Sequence, residues 1–579
     1  MKVTELHFSS HADLDHLPLR NRVHGVHGTK PQEMFMTKSH MLEIRKTARI
    51  LDQATGNYLE RIEFRTSSGK MAILELAPST VSDPRSFAKH LRDAGAILPT
   101  GGTLLKPLLE AVAGTLCSVE LVYAAQGGWT KNGKAFVRFD KAIGQPLANI
   151  VGFRRPRTND LRTVVKRYGS VESWKSAVAA PAQSSSILMF SISAAFAAPI
   201  LKVLGMNTFG FCMFGESRSG KTLATVAAGS VIGKGTVAHL LDWNATDNRL
   251  QEQLPELNDC IAPIDDLMSM KGTDREKYSR VKSLAYIFAL GAGTGRHSSY
   301  SAASAENWRT IVLSSNELSL RDLAARSRTE RNAGETVRFI DLPATLGSGQ
   351  DIFDRKSEVR QQLSWQEWFK ACEKNQGHVF EAFLRLLITE KPEIRKLIKD
   401  HVRNFASSVQ DEMDGNLARD IAAKFGLVYA AGRIAIKFRL VPWTSVSLGE
   451  VIRKCYFAAR DLLPDEGVMF RSGKSTLLSF LQKLPKSTEI DARENSHLVG
   501  FREARLRHYR CLVKRDKFNR IFQSEAQHKL VLNWLMADSR ITLAATSTGP
   551  RKVKEQHFWP DGERYRSVEI MWPRVRDRS

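Results

Sequence analysis

The stretch that most constrains this 579-residue chain is Phe209-Gly-Phe-Cys-Met-Phe-Gly215-Glu-Ser-Arg-Ser-Gly220-Lys221-Thr222. An apolar run stops at Gly215, four residues intervene, Gly-Lys-Thr follows, and a helical pattern then runs to Ile232. Strand, glycine-bounded loop and helix, in that order, is the context in which G-x-x-x-x-G-K-T binds phosphate. The glycines let the backbone turn so that its N–H groups point at phosphate oxygens. The helix N-terminus adds a partial positive charge at the same spot. The expected cradle is Gly215, Glu216, Ser217, Arg218, Ser219, Gly220, Lys221 and Thr222. Lys221 is expected to reach the β- and γ-phosphates of a nucleotide, and the Thr222 hydroxyl to hold Mg²⁺.

Further candidates follow in order downstream. Asp259-Cys-Ile-Ala-Pro-Ile-Asp265-Asp266 is an apolar strand ending in two acids, interrupted by Pro263. One carboxylate, Asp265, is expected in the Mg²⁺ shell, and the other, Asp266, beside the attacking water. A helix is predicted over 275–292, then a hairpin whose tip carries Gly293-Thr-Gly-Arg296-His297. The apolar strand from Trp308 ends in Ser315-Asn316-Glu317, and Asn316 is expected to orient the water over the γ-phosphate. Glu335-Thr-Val-Arg338-Phe-Ile-Asp-Leu-Pro343 reads as a strand. Arg338 is the candidate charge for the transferring phosphoryl group, in cis or from a neighbouring subunit, with Arg326, Arg328 and Arg331 as competitors.

The remainder sets the domain plan. Residues 1–36 read as a flexible leader whose five histidines match no metal-ligand spacing. Residues 37–150 carry strand signals, a hairpin turn at 67–70 and another at Asn132-Gly133, and so form an α+β domain. A connector over 151–186 is basic at its start, as a phosphate-contacting stripe or a solvated helix face. Residues 187–345 form the nucleotide-binding core, and the run Ile187 to Leu201 is expected to be a helix buried under its sheet rather than a membrane span. Residues 346–475 form a helical lid. Residues 476–579 hold short helices, a basic stretch over 502–520 and strand-like ends, which suggests a winged-helix-like DNA-binding module. There the candidate DNA contacts are Arg505, Arg507, Arg510, Lys514 and Arg515. The net charge of +24 favours a polyanionic partner. Six widely spaced cysteines, with no C-x-x-C, argue against a zinc ribbon or disulfide framework and fit a reducing, cytoplasmic setting.

Several of these stretches resemble the DUF927 family. They are the loop from Gly210 to Thr222, Asp242-Trp-Asn-Ala-Thr-Asp-Asn248, the Asp265-Asp266 strand, Trp308-Arg-x-x-x-Leu-Ser-Ser-x-Glu317 and Ala333-Gly-Glu-x-Val-Arg338-x-Ile-Asp-Leu-Pro343. Gly127-Gly-Trp129 and Ala430-Ala431-Gly432-x-x-Ala435-Ile436 add to the set, so that the resemblance spans about residues 40–465. It implies an α/β P-loop AAA+ ATPase core related to the helicases of staphylococcal cassette-chromosome elements. Those look similar to MCM proteins: ring-shaped, hexameric, DNA-translocating and carried on mobile elements. The cofactors implied are ATP and Mg²⁺, and the partners implied are DNA and further copies of the chain. On the matching positions, Lys221 and Thr222 hold nucleotide and metal, Asp265 and Asp266 are the Walker B pair, Asn316 is sensor 1 and Arg338 a sensor or finger arginine. Arg296, with His297, would touch DNA in the ring pore. The second acid, Asp266, is one methylene shorter than the Glu often found there. Two rival readings stay open: a nucleotide-driven motor or switch without unwinding, and an initiator that uses ATP only to assemble on DNA.

Overall fold

The computed structural model describes residues 43–573 except 100–101, 139–140, 145–148, 154–164, 293–306, 347–350, 355–363, 390, 412–413, 465, 490–497, 507, 523–524, 539, 542, 545–551, 554–555 and 560–562. The expected leader and residues 154–164 of the connector, with Arg154, Arg155, Arg157 and Arg162 of its basic start, therefore lie outside the described residues, as does the tip with Arg296 and His297.

The centre is a parallel sheet of five strands: β1 (Phe209–Phe214), β2 (Leu241–Asp242), β3 (Ile261–Asp265), β4 (Ile311–Asn316) and β5 (Phe339–Pro343). Their order across the sheet is β2-β3-β4-β1-β5. These strands read as continuous apolar runs because the sheet is covered on both faces. Register aligns their C-terminal ends: Asn316 and Pro343 both pair with Phe214, and Ser314 pairs with Ile264. The loops after β1, β3 and β4 therefore open at one edge, where parallel α/β sheets bind ligands. Pro263 is tolerated inside β3 because β2 pairs only with Ile264 and Asp265, which leaves β3 an edge strand at the proline.

Helix α1 (Ser186–Ala197) is buried at every residue. Met189 and Phe190 belong to the same core as Phe211 of β1 and Phe425 of α5 (Asn416–Lys437), and the Phe425 ring centroid lies 5.5 Å from that of Phe190 and 5.2 Å from that of Phe211. A Cβ on Gly432 of α5 would stand 2.9 Å from Ser193 Oγ and 2.7 Å from Leu448, so glycine is what lets the two helices approach. The segment Ser186–Leu204 has the length and composition of a membrane span, yet 83% of its apolar window is buried inside the protein. Between α1 and α5 in the chain lie α2 (Lys221–Ile232), α3 (Asp274–Leu290) and α4 (Trp365–Lys374). The starts of α3 and α4 are fixed by capping boxes, Thr273 with Glu276 and Ser364 with Glu367.

Three sequence expectations are corrected. Ala333–Arg338 is a helix, and strand β5 begins only at Phe339. The hairpin with Asn132-Gly133 leaves the N-terminal domain: Trp129, Phe136 and Ile143 pack in the central core, whereas Ile62, Phe64, Phe87 and Leu91 form a separate one. Asp259 docks that hairpin by accepting from Trp129 N at 3.0 Å, and Trp129 Nε1 donates to Pro199 O at 2.8 Å. Finally, the boundary expected at 475/476 falls inside one helix, α6 (Glu466–Lys483). Val468 belongs to the central core, while Phe470, Leu477 and Leu481 join Val513, Phe518 and Ile570 in a C-terminal core. The basic stretch lies there on the antiparallel strands Gly500–Ala504 and His508–Lys514 and the helix Arg515–Arg520.

One ion pair under the sheet carries unusual weight. Arg331 Nη1 and Asp341 Oδ2 are 2.5 Å apart with side chains 6% and 3% exposed. The same carboxylate accepts from the backbone N–H groups of Leu320 and Arg321. Asp341→Ala strands a buried guanidinium and two helix-start donors, so it is expected to cost about 3–5 kcal/mol of stability, read by chemical denaturation.

Candidate functional site

The loop after β1 folds tightly because Arg218 (φ 63°) and Gly220 (φ 99°) are left-handed. A Cβ at Gly220 would lie 2.7 Å from the Trp365 ring and 2.9 Å from Ile352, so both conformation and space require glycine there. Lys221 Nζ donates to Gly215 O (2.9 Å), Glu216 O (2.6 Å) and Ser219 Oγ (3.3 Å). Burial pushes the Lys221 ammonium below its ordinary value, opposed by the carboxylates of Glu317, Asp266 and Asp265.

The first acid is held by hydroxyls. Asp265 Oδ1 accepts from Ser315 Oγ at 2.6 Å and from Thr222 Oγ1 at 3.1 Å. Burial raises the Asp265 carboxyl, and these two donors work against it. Asp266 is left-handed (φ 44°), and its backbone N–H donates to Ser315 Oγ at 2.8 Å. Loop, acids and strand ends enclose a cavity of about 380 Å³ lined by Ser217, Arg218, Gly220, Lys221, Thr222, Leu223, Asp265, Asp266, Ser315, Glu317, Trp365 and Phe369.

Of the expected cradle, Gly215, Glu216 and Ser219 accept from Lys221 Nζ outside the lining, while Ser217, Arg218, Gly220, Lys221, Thr222 and both acids converge on the cavity. Asn316 does not join them. It is 1% exposed, its Nδ2 donates to Leu318 O at 2.6 Å, and its Oδ1 has no partner. Strand alternation explains this: the side chains flanking it, Ser315 and Glu317, face the cavity. Arg338 is also outside the lining. Its Nη1 donates to Gly334 O at 2.8 Å, and its guanidinium lies 4.8 Å from the Tyr286 ring centroid. Sequence reading missed Ser315, Glu317, Trp365 and Phe369. For the first two, the two-residue strand period was the available signal.

In the C-terminal module Arg510 is taken up internally, donating to Glu569 at 2.9 and 3.2 Å and to Glu503 at 3.2 Å. Lys514 Nζ stands over the rings of Tyr565 and Trp559, 4.4 and 5.1 Å from their centroids. Arg505 and Arg515 are exposed, Arg505 beside Glu503 at 2.9 Å, and Arg507 lies outside the described residues.

Chemically, the loop and the α2 N-terminus suit a phosphate chain. Thr222 and Asp265 offer adjacent oxygen ligands of the kind Mg²⁺ takes when phosphates complete its shell. Among the described residues there is no cluster of three or more His, Cys, Asp or Glu that could hold a metal ion.

A parallel sheet with a glycine-bounded loop at its ligand edge defines an α/β nucleotide-binding-like fold. Residues 22–308, just under half of the chain, match the family described as "Domain of unknown function (DUF927)". The match stops just before β4, short of the span over which the motifs suggested resemblance. Among solved structures the chain is similar to "SCCmec type IV Cch - active helicase", with TM-score 0.51 and 18% identity, covering 91% of this chain and 93% of that one. At that identity the likeness is one of fold, and it extends well beyond residue 308. The apo A form of the "NrS-1 C terminal region" aligns at TM-score 0.27 and 11% identity, over 67% of this chain and 87% of that one. No curated protein sequence matches the chain.

Proposed function

We propose that the chain is an AAA+ ATPase acting as an ATP-dependent DNA helicase or translocase, assembled as an MCM-like hexameric ring. The observation that carries it is the position of β4. Interposed between the phosphate-loop strand β1 and the acid-bearing strand β3, it delivers Ser315 and Glu317 to the space between phosphate chain and metal ligands. A water attacking the γ-phosphate has to stand there.

In this reading Lys221 holds the β- and γ-phosphate oxygens, and Thr222 and Asp265 hold Mg²⁺. When bound, Mg²⁺ neutralises charge that develops on the phosphates. Ser315 fixes Asp265 and the backbone of Asp266 together, so the metal-side and water-side acids move as one unit. Asp266 and Glu317 orient the water and accept its proton. Arg338, outside its own subunit's cavity, serves a neighbouring subunit's site as a finger arginine. Asn316, turned away from the cavity, ties the end of β4 to Leu318 and so holds the chain on either side of Glu317. A winged-helix-like C-terminal module supplies DNA affinity through Arg505, Lys514 and Arg515, with the salt dependence expected of phosphate contacts. Support for a helicase comes from the fold shared with a protein titled an active helicase.

The deciding experiment is fork unwinding with ATP on protein whose oligomeric state is measured in the same buffer. Strand separation that needs ATP supports the reading. Hydrolysis without separation would move the protein to a motor or switch, and ATP-dependent DNA binding without hydrolysis to an initiator.

A further inference from the structure

The cavity has a second half that the phosphate chemistry does not use. In the sheet order, the acids of β3 and β4 lie on one side of β1, and β5 lies on the other. The chain after β5 returns across the phosphate loop before entering α4. Ile352 N donates to Ser219 O at 2.9 Å, and Ile352 O accepts from Ser185 Oγ at 2.6 Å. Asp354 accepts from Ser186 N (2.9 Å), Ser186 Oγ (2.6 Å) and Lys454 Nζ (2.9 Å). This short segment is therefore fastened to the loop, to the start of α1 and to Lys454 in the middle of the helix Ser445–Arg460.

Trp365 opens α4 against that segment. Its ring centroid is 5.6 Å from that of Phe353, with the planes inclined at 39°, and its edge borders Gly220. Phe369 stands one turn further along α4, on the same face. The next face of the helix, Trp368 and Cys372, is buried in the core. Trp365 and Phe369 stay only half-buried and line the cavity together with Leu223. Two large aromatic side chains, held rigidly at the mouth of a phosphate-binding loop and left partly open, are an incomplete stack.

We propose that Trp365 and Phe369 form the nucleobase platform of this site, with Trp365 stacking on the base of the nucleotide whose phosphates the loop holds. The proposal rests on the nucleotide reading above and adds the residues that recognise the base half of the ligand. Stacking on an aromatic face contributes substantially to binding for any base. The platform distinguishes a nucleoside triphosphate from a bare polyphosphate, which the loop alone does not.

The test compares dissociation constants for ATP and for inorganic tripolyphosphate in the full chain, in Trp365→Ala, Trp365→Phe and Phe369→Ala. Trp365→Ala is expected to weaken ATP about tenfold and leave tripolyphosphate unchanged, with Trp365→Phe restoring most of the loss. Phe369→Ala is expected to move in the same direction by less. Unchanged ATP affinity in Trp365→Ala overturns the proposal. So does a parallel loss of ATP and tripolyphosphate in both alanine variants, which marks the aromatics as packing for the loop. Lys221→Ala, by contrast, is expected to lose both ligands. Failure of the unsubstituted chain to bind either one removes the nucleotide reading itself, and the platform with it.

Discussion

Lys221→Ala is expected to abolish ATP hydrolysis and strand separation together, with hydrolysis falling about a hundred- to a thousandfold, the range seen when one preorganised charge donor is removed. The reason lies in the balance of charge around the loop. The Lys221 ammonium faces three carboxylates, Glu317, Asp266 and Asp265, all lining the same cavity. With the lysine gone, the triphosphate meets those acids with Arg218, a bound cation and backbone N–H groups to offset them. The lysine contributes little to the fold beyond its bonds to Gly215 O, Glu216 O and Ser219 Oγ, so folding is expected to survive. Phosphate release measures the loss. Thermal melting provides the control: ATP raises the melting temperature of the unsubstituted chain through binding to the native state, and that rise disappears in the variant. Full hydrolysis by Lys221→Ala would remove Gly215 to Thr222 from the mechanism.

The contrast between what the residue pattern disclosed and what it hid follows from how far each signal travels along the chain. Gly215 to Thr222 and Asp265-Asp266 are legible because each is a strand end plus the residues directly after it, and parallel register delivers such ends to one edge. Asn316 misled because the strand was read by its final polar residue, whereas alternation turns Ser315 and Glu317, not Asn316, toward the cavity. Arg338 was read as a strand residue because Phe339 to Pro343 continues the apolar run. The residues before it, Asn332-Ala-Gly-Glu335, close a helical turn instead, with Glu335 N and Thr336 N donating to Asn332 O. Trp365 and Phe369 lie far down the chain from the loop they border, and no local pattern ties a capped helix start to a particular loop. The Asp259 contact with Trp129 is hidden for the same reason: it joins residues 130 positions apart. Arg510 illustrates a limit of charge counting. Within a basic stretch it reads as a phosphate contact, but across the sheet it meets Glu569, which only strand pairing reveals.

Glu317→Gln is expected to lower kcat by about a hundred- to a thousandfold, in the range for loss of a general base, while ATP binds as tightly as before or tighter. Three observations lead there. Glu317 directly follows β4, the strand placed between the phosphate loop and the metal-side acid. Its carboxylate lines the same cavity as Lys221 and acts on that ammonium more strongly than Asp266 or Asp265 does. Asp266, the other water-side acid, has a left-handed backbone whose N–H is bound to Ser315 Oγ, and its side chain is one methylene shorter. A fixed backbone and a short reach limit how closely Asp266 follows a water on the far phosphate; the longer Glu317 side chain spans more of that distance. Glutamine keeps the size of Glu317 and removes its charge, so ATP affinity does not fall, and a drop confined to kcat marks loss of a group acting in the transition state. Asp266→Asn in the same assay is expected to reduce kcat by a smaller factor, about tenfold, the low side for a positioning acid. The reverse ranking, with Asp266→Asn inactive and Glu317→Gln near normal, would return the water to Asp266 and leave Glu317 with only an electrostatic hold on Lys221.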